Sequence, residues 1–327
     1  MIGIYNDSSS TTFSVYTYGE IVWPGGSSSA GVGYYISAQL DGRSSYIVPS
    51  TFTIGGSTYM YTSYCRSVYG HNYSQFYFSN FDGVITEGAF SGFRGFVGPL
   101  ETNATRVEAL AFASTNLQSV SLLSASYVGY SAFANGIVAS ANLPMCETVE
   151  PYAFYSCSLG GYGISLPVCK NIGAYAFTYA ALNYSSRVLE LPSCETIGAY
   201  AFNYCYYIRH ISLPVCRTLG NGCLAVMNLS SISLPMCEYI GEYAFARDTQ
   251  LTVASIGDCS YIGNSAFYSC SNLSRVYIRG NRLCELGGSS VFYSTSNTLM
   301  IYVRSSLYSE YLSAPYWSDI SGRISSF

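Results

Sequence analysis

Apolar residues follow two patterns that alternate along the chain. In the first, apolar side chains occupy every second position before a proline, as in Ile232 and Leu234. This alternation predicts a strand with one face in the core, and the proline ends the strand because it cannot donate a hydrogen bond to its neighbour. In the second pattern, C-x-x-I-G-x-Y-A-F, the Ile-Gly pair predicts a tight corner, after which Ala and Phe point into the core.

The two patterns recur together every 21 to 25 residues. No unit of this length can bury its own apolar face, so stacked units have to share one continuous core. We therefore predict a β-rich repeat solenoid with parallel strands. We call the last residue of the second pattern the marker. The markers are Phe90, Phe112, Phe133, Phe154, Phe177, Phe202, Leu224, Phe245, Phe267 and Phe292.

Over residues 85–303 the chain resembles the BspA-like leucine-rich repeat family, whose hallmark is L-x-x-I-x-L-P followed by I-G-x-x-A-F-x-x-C-x-x-L. The stretch from Ile262 to Leu273, IGNSAFYSCSNL, carries the second half in full. The unit at Leu224 has lost Ala-Phe, residues 281–283 are inserted before Cys284, and the first units lack the L-P-x-C half. The resemblance implies a leucine-rich-repeat array. Members are associated with bacterial surface proteins that adhere to host matrix or cells, and similar repeats are common in gut bacteria and their phages.

The ends of the chain do not keep this period. Residues 1–84 are rich in Tyr, Val, Thr and Ile, a composition typical of strands, and they predict a small β-rich domain or a cap on the first unit. We expect the repeats to span residues 85–304. Residues 305–327 are expected to close the other end, with Tyr311 and Trp317 covering the last coil, because a solenoid needs its terminal core covered.

Charge and hydropathy exclude some classes of partner. Only 10% of the residues are charged, and the net charge is −4. No basic stripe is present to neutralise phosphates, so nucleic acid is not an expected partner. No apolar run reaches about 18 residues, so membrane insertion is not expected. The first residues lack the basic and apolar regions of a secretory signal, so either the chain is already processed or it is made in a cytoplasm and leaves by another route; the initial Met favours the second alternative.

Cysteine recurs with the same period as the marker. Ala180 and Asp248 fill slots that hold cysteine in other units, and a disulfide framework would not tolerate such exchanges. We therefore predict reduced, buried, structural thiols. No cysteines have the spacing of a zinc site, so no metal or cofactor is expected. The predicted ladder consists of Cys146, Cys169, Cys194, Cys216, Cys237, Cys259 and Cys284.

The predicted strands leave one exposed face, and that face differs along the chain. It is small and neutral in the early units and carries Arg, Tyr and Met in the last two. Aromatic residues and arginine anchor many interfaces. No catalytic motif occurs in the chain, so we predict a binding protein and no enzyme. The predicted ligand-binding residues are His210, Arg275, Tyr277, Met300 and Tyr302.

Tyrosine is the most unusual component, with 34 copies. Tyr152, Tyr175, Tyr200 and Tyr243 each lie two residues before a marker, and we expect them to form a stacked row. A surface rich in Tyr, Ser, Gly and Asn binds partners with few charges. Rows of tyrosine also suit carbohydrate, which makes a glycan one expected ligand.

Three interpretations of function remain open. The first is a phage virion protein, such as a tail fibre or receptor-binding component, that recognises a host surface protein or glycan. The second is a bacterial surface adhesin of the BspA-like kind, located on the cell surface or outside it. The third is a structural protein that assembles into filaments. In the first, residues 1–84 are expected to mediate homo-oligomers or contacts with other virion proteins.

Overall fold

The computed structural model describes residues 98–327, apart from 162, 185 and 186. Before residue 98 it describes the pairs 84–85, 87–88 and 91–92, and the backbone of seven short strands that precede residue 78. The first three of these strands form an antiparallel sheet, the fifth and sixth an antiparallel pair, and the fourth and seventh a parallel pair. The predicted cap over residues 1–84 lies largely outside the described residues and stays a prediction. The seven strands are β1 (Ile2–Ile4), β2 (Phe13–Thr17), β3 (Tyr34–Ala38), β4 (Tyr46–Ile47), β5 (Thr51–Ile54), β6 (Ser57–Met60) and β7 (Phe76–Tyr77).

The solenoid itself consists of short parallel strands, followed by one α-helix and two 3-10 helices. In chain order they are β8 (Val84–Ile85), β9 (Gly98–Thr102), β10 (Arg106–Val107), β11 (Asn116–Leu122), β12 (Tyr127–Val128), β13 (Ile137–Val138), β14 (Ser140–Asn142), β15 (Thr148–Val149), β16 (Gly160–Gly161), β17 (Gly163–Ser165), β18 (Asn171–Ile172), β19 (Asn183–Tyr184), β20 (Val188–Glu190), β21 (Thr196–Ile197), β22 (His210–Ser212), β23 (Thr218–Leu219), β24 (Ser231–Leu234), β25 (Tyr239–Ile240), β26 (Val253–Ile256), β27 (Tyr261–Ile262), β28 (Arg275–Ile278), β29 (Glu285–Leu286), β30 (Met300–Val303), the 3-10 helix Ser305–Leu307, α1 (Tyr308–Ser313), the 3-10 helix Ser318–Arg323 and β31 (Ile324–Ser326).

Each coil contributes a two-residue strand to one long parallel sheet of ten strands. The sheet runs β8, β10, β12, β15, β18, β21, β23, β25, β27 and β29. Thr196 pairs with Thr218 and Ile197 with Leu219, one coil later. The second residue of each strand, the Ile of the Ile-Gly pair or its equivalent, is buried. Sequence analysis placed only a corner here, so the structure adds a second strand to each coil.

The predicted alternating strands form the other side of the solenoid. Along β28, Val276 and Ile278 are buried while Arg275 is exposed and Tyr277 is half-buried. The strand pairs in register with β26 and β30, and β31 adds a final parallel strand. The predicted parallel-strand repeat solenoid is therefore confirmed.

The marker phenylalanines stack into two columns inside the core. Neighbouring rings lie 5.0–5.5 Å apart and within 8° of parallel. Coils repeat at the spacing of parallel strands, about 4.8 Å, so equivalent rings meet face to face. Leu224 interrupts the stack between Phe202 and Phe245.

The turns around the markers from Phe112 to Phe267 use left-handed backbone conformations, two residues before and two residues after each marker, and at Phe292 the residue two positions after it is left-handed. Tyr175 and Tyr179, which flank Phe177, both have a φ of 58°. Amide groups in these turns donate to the next coil, as in Phe177 N to Ala201 O at 2.7 Å. Gly222 occupies one such position, where a Cβ atom would lie 2.4 Å from a ring carbon of Tyr200.

The seven ladder cysteines are buried and their thiols are free. Eleven cysteines lie among the described residues, and all are free and buried. Ladder thiols donate to the carbonyl two residues later, as in Cys259 Sγ to Tyr261 O at 3.2 Å. A second set, three residues after the marker, reaches back one coil, as in Cys270 Sγ to Phe245 O at 3.0 Å. Burial raises the pKa of Cys157 to about 12, so such thiols stay protonated at neutral pH and react slowly.

The C-terminal segment closes the last coil. Trp317 Nε1 donates to Cys284 O at 2.7 Å, and Cys284 N donates to Tyr311 Oη at 3.0 Å. The two rings meet edge to face, 4.9 Å apart, and both side chains are at most 1% exposed. Tyr311 and Trp317 therefore cover the end of the core, as the sequence predicts.

Candidate interaction surface

The outward side chains of β20, β22, β24, β26, β28, β30 and β31, with the residue after each strand, form a surface that we call the strand face. Strand register sets its columns. Val253, Arg275 and Met300 share one column, and Ser255 starts a second. That second column continues through Tyr277, Tyr302 and Ser325.

The middle of the strand face is flat and uncharged. Ser231 and Ser233 on β24 face outward beside Val253 and Ser255 on β26. We call these four residues the serine shelf. Its side chains are small, and its backbone amide and carbonyl groups pair within the sheet. A partner lying on the shelf therefore meets hydroxyl groups and a little apolar surface.

Next to the shelf the side chains become large and basic. The rings of Tyr277 and Tyr302 stack 4.9 Å apart, and Phe327 meets Tyr277 edge to face at 6.5 Å. The Arg279 guanidinium lies 5.0 Å from the centroid of the Tyr277 ring and 5.5 Å from that of Phe327. We call this group the arginine–aromatic cluster; its members are Arg275, Tyr277, Arg279, Met300, Tyr302, Arg304 and Phe327.

Two arginines of the cluster are held in place by their Nε atoms. Arg279 Nε donates to Ser255 Oγ at 3.0 Å, and Arg304 Nε donates to Arg279 O at 2.8 Å. Among the described residues, no carboxylate lies within 4.0 Å of Arg275, Arg279 or Arg304. The ion pairs found in this part of the chain are Arg106–Glu108, Lys170–Glu147, Arg217–Glu238 and Arg282–Asp258.

The structure brings four of the five predicted site residues together. Arg275, Tyr277, Met300 and Tyr302 are cluster members on adjacent strands. His210 lies on the same face but on β22, three strands from β28, which corresponds to about 14 Å at the spacing of parallel strands. Its ring contacts Ser230 Oγ, with Nδ1 at 3.2 Å. His210 is therefore not part of the cluster.

Sequence analysis missed Arg279, Arg304 and Phe327. Arg279 and Arg304 lie two residues after Tyr277 and Tyr302, just past the strands, where earlier units have proline. The sequence does contain a signal for both arginines, because outward positions recur every second residue and the next ones after Tyr277 and Tyr302 are Arg279 and Arg304. Phe327 had no such signal, since it follows a final strand that has no repeat pattern of its own.

A second exposed surface is a network of tyrosines on the turn side. Tyr152 stacks on Tyr175 at 4.9 Å, and Tyr175 on Tyr200 at 5.1 Å. The row ends at Gly222, so Tyr243 does not join it, contrary to expectation. Inside the row each ring covers the faces of its neighbours, so the ring edges and hydroxyls are exposed while the faces are not. Sugar rings stack on aromatic faces, whereas the inner tyrosines offer edges and hydroxyls; the expected binding of carbohydrate by these rows stays a prediction.

A second row runs beside the first and joins it. Tyr179 stacks on Tyr204 at 4.7 Å, and Tyr152 contacts Tyr155, which contacts Tyr179. Burial and the neighbouring Tyr204 raise the pKa of Tyr179, so its hydroxyl stays protonated at neutral pH. The network therefore presents ring edges and hydroxyl groups to solvent.

Neither a metal site nor a membrane-spanning segment is found where the structure can be described. No group of three or more His, Cys, Asp or Glu in those residues could hold a metal ion. No helix there is long and apolar enough to cross a membrane.

The two-strand coil, the stacked markers and the closed end define a leucine-rich-repeat solenoid. The family model described as BspA type leucine rich repeat region matches six copies in the chain, over residues 70–160 and 170–299. The chain therefore belongs to the BspA-type leucine-rich repeat family, and the predicted resemblance is confirmed.

Two solved structures share similarity with the chain. A leucine-rich repeat protein from Bacteroides ovatus is 14% identical, with 96% of this chain and 98% of that chain covered and a TM-score of 0.46. A leucine rich cell surface protein from Faecalibacterium prausnitzii is 14% identical, with 93% and 94% covered and a TM-score of 0.32. No curated protein sequence matches the chain.

Proposed function

We propose that the chain is a non-catalytic interaction or adhesion scaffold that binds a partner on a cell surface through its strand face. The observation that carries this proposal is the arginine–aromatic cluster. It concentrates stacked tyrosines and three arginines at one end of the strand face, beside the uncharged serine shelf. Such side chains dominate binding energy at interfaces. A rigid array of parallel strands holds them in fixed positions, which lowers the entropy cost of binding.

Two other surfaces, the turn-side tyrosine network and the C-terminal end, are weaker candidates for the interaction surface. The turn-side tyrosine network offers edges and hydroxyls, because its ring faces are occupied by one another. Filament growth through the C-terminal end would require an open coil, and Tyr311 and Trp317 cover that coil. The strand face combines its stacked tyrosines with Arg275, Arg279 and Arg304, whereas the tyrosine network contains no charged group.

The place of display has two candidates. The family is one of bacterial surface proteins, which favours a bacterial cell surface. The eleven free, buried thiols favour the second candidate, a phage virion protein such as a tail fibre or receptor-binding component. A virion is assembled in the reducing cytoplasm, where thiols stay reduced. Antibody labelling of intact producing cells and of purified particles from the same culture separates the two locations.

The experiment for the proposed function is a binding assay on intact cells. Fluorescently labelled chain is added to a panel of bacterial and epithelial cells, and bound fluorescence is measured by flow cytometry. The double variant Tyr277→Ala/Tyr302→Ala is expected to lose binding, while Tyr243→Ala, an exposed tyrosine on the turn side, is expected to retain it. Equal binding by both variants, or no binding to any cell of the panel, would refute the proposal.

A further inference from the structure

We propose that the ligand of the strand face is an acidic carbohydrate, with its carboxylate or sulfate groups bound by Arg275, Arg279 and Arg304 and its sugar rings lying on the serine shelf. This inference rests on the proposed function, since it names the chemistry of the same site. It follows from three features of the cluster and the shelf.

The first feature is charge without compensation. Three guanidinium groups lie on adjacent strands with no carboxylate within 4.0 Å in the described part of the chain. Five of the fourteen basic residues of this acidic protein fall within residues 275–327. The positive charges of the three arginines add along this face, and a bound anion offsets them. The strand face therefore complements a negatively charged partner.

The second feature is the preorganised geometry of two of the arginines. The Nε atoms of Arg279 and Arg304 are already bonded, to Ser255 Oγ and to Arg279 O. Arg279 also lies against the Tyr277 ring, which orients the guanidinium plane. The terminal NH₂ groups of both arginines remain without partners among the described residues. Guanidinium groups bind the two oxygens of a carboxylate or sulfate with paired hydrogen bonds.

The third feature favours carbohydrate over an acidic polypeptide. β24, β26 and β28 pair with one another through their backbone groups, so a ligand lying on the face of the shelf meets side chains and not the backbone groups to which a peptide would add. It offers serine hydroxyls, which both donate and accept hydrogen bonds as sugar hydroxyls do. From β24 to β28 is about 10 Å, two strand spacings, which leaves room for two sugar rings beside the arginines.

The test measures binding of the full chain to defined oligosaccharides by fluorescence anisotropy. The probes are an oligogalacturonate, its neutral methyl ester, a sulfated heparin oligosaccharide and poly-glutamate. We expect the two acidic sugars to bind, and the relative affinities of the carboxylated and sulfated probes to identify the anionic group. Binding should weaken as salt increases, because ion pairing is screened. The methyl ester is expected to bind at least about tenfold more weakly, the size of one lost charge-assisted bond. Poly-glutamate keeps its carboxylates but has no sugar hydroxyls to bond the shelf serines, and it is also expected to bind at least about tenfold more weakly.

Matched variants separate local recognition from net charge. Arg279→Gln and Arg304→Gln should each reduce affinity for the acidic sugar by about tenfold or more. Arg247→Gln removes the same charge from an exposed turn-side residue and should leave affinity unchanged. Equal losses in all three variants, equal binding of the methyl ester, or tighter binding of poly-glutamate would overturn the inference.

Failure of the inference is distinguishable from failure of the proposed function. In the cell-binding assay, excess acidic oligosaccharide should compete with the cells for the labelled chain. Binding to cells that is lost in Tyr277→Ala/Tyr302→Ala but resists this competitor would overturn the carbohydrate inference and leave the interaction scaffold intact. Absence of cell binding would count against the scaffold itself.

Discussion

Asp248 places a carboxyl group where other coils bury a thiol, and this should make the stability of the solenoid depend on pH. Its side chain is fully buried, in the slot that holds Cys205 and Cys270 in other coils. Oδ2 accepts a hydrogen bond from Leu229 N at 3.0 Å, and Oδ1 accepts one from Gln250 N at 3.4 Å. Burial outweighs these bonds and raises the pKa of Asp248 from 3.8 to about 7.

The sign of the effect follows from proton linkage. The folded state binds the proton more tightly than the unfolded state, so between about pH 4 and pH 7 folding takes up a proton. The contribution of Asp248 to the free energy of unfolding is therefore fully present below about pH 4, and it is lost progressively as the pH rises to about 7. A difference of about three pH units, at about 1.4 kcal/mol each, amounts to about 4 kcal/mol. The variant Asp248→Asn removes the titration and keeps one acceptor for Leu229 N.

The assay is urea denaturation followed by circular dichroism at several pH values from 4.5 to 8. Because both proteins share all other titrating groups, the difference between them isolates Asp248. The stability of Asp248→Asn relative to the wild type should rise by up to about 4 kcal/mol between low and high pH. Asp248→Cys, which restores the thiol of other coils and its bond to the preceding marker carbonyl, should show the same trend. A difference that stays constant across the range would show that the folded protein holds Asp248 ionised at no cost, and would refute the reasoning.

Three further predictions test the packing. Phe177→Ala removes a ring stacked on both sides, at 5.1 and 5.0 Å, and should cost about 3–5 kcal/mol in urea denaturation, whereas the exposed Tyr179→Ala should cost far less. Gly222→Ala should lower the free energy of unfolding by about 1–3 kcal/mol, because the added Cβ meets the Tyr200 ring. Adding Tyr200→Ala should relieve part of that cost. Gly160→Ala, with open space around it, is the control and should cost less. The eleven described thiols should resist alkylation in the native protein and react after unfolding, as mapped by mass spectrometry; rapid native labelling of the ladder would contradict its burial.

The period, the core residues and the thiol ladder could be predicted from sequence because each structural position of a solenoid recurs once in every coil. A residue such as Phe177 repeats in the same slot, so its burial follows from its recurrence. The ten-stranded sheet could not be predicted in this way. Its strands are two residues long, as in Thr196–Ile197, and two residues are too few to show an alternating pattern.

The candidate site was predictable only as far as the strands extend. Register follows from the repeat, so Tyr277 and Tyr302 could be placed together from sequence. The direction of their ring faces could not, because it depends on side-chain torsions that no periodicity encodes. The cation over Tyr277 comes from Arg279, which follows the strand. Its position became clear only with the bond from Nε to Ser255.

The same repetition that makes the core predictable leaves the outward positions free to differ from coil to coil, which allows the proposed binding surface to lie at one end. Every buried position must fit its equivalents in adjacent coils, so Phe and Cys recur there and change little. Outward positions carry no such constraint, and Ser233, Ser255, Tyr277 and Tyr302 occupy one column with different side chains. Large neighbours in such a column stack at the strand spacing and hold one another in place. Substituting two or three outward residues in an adjacent coil should therefore move or extend the binding surface without altering the fold, because the core beneath those positions stays the same.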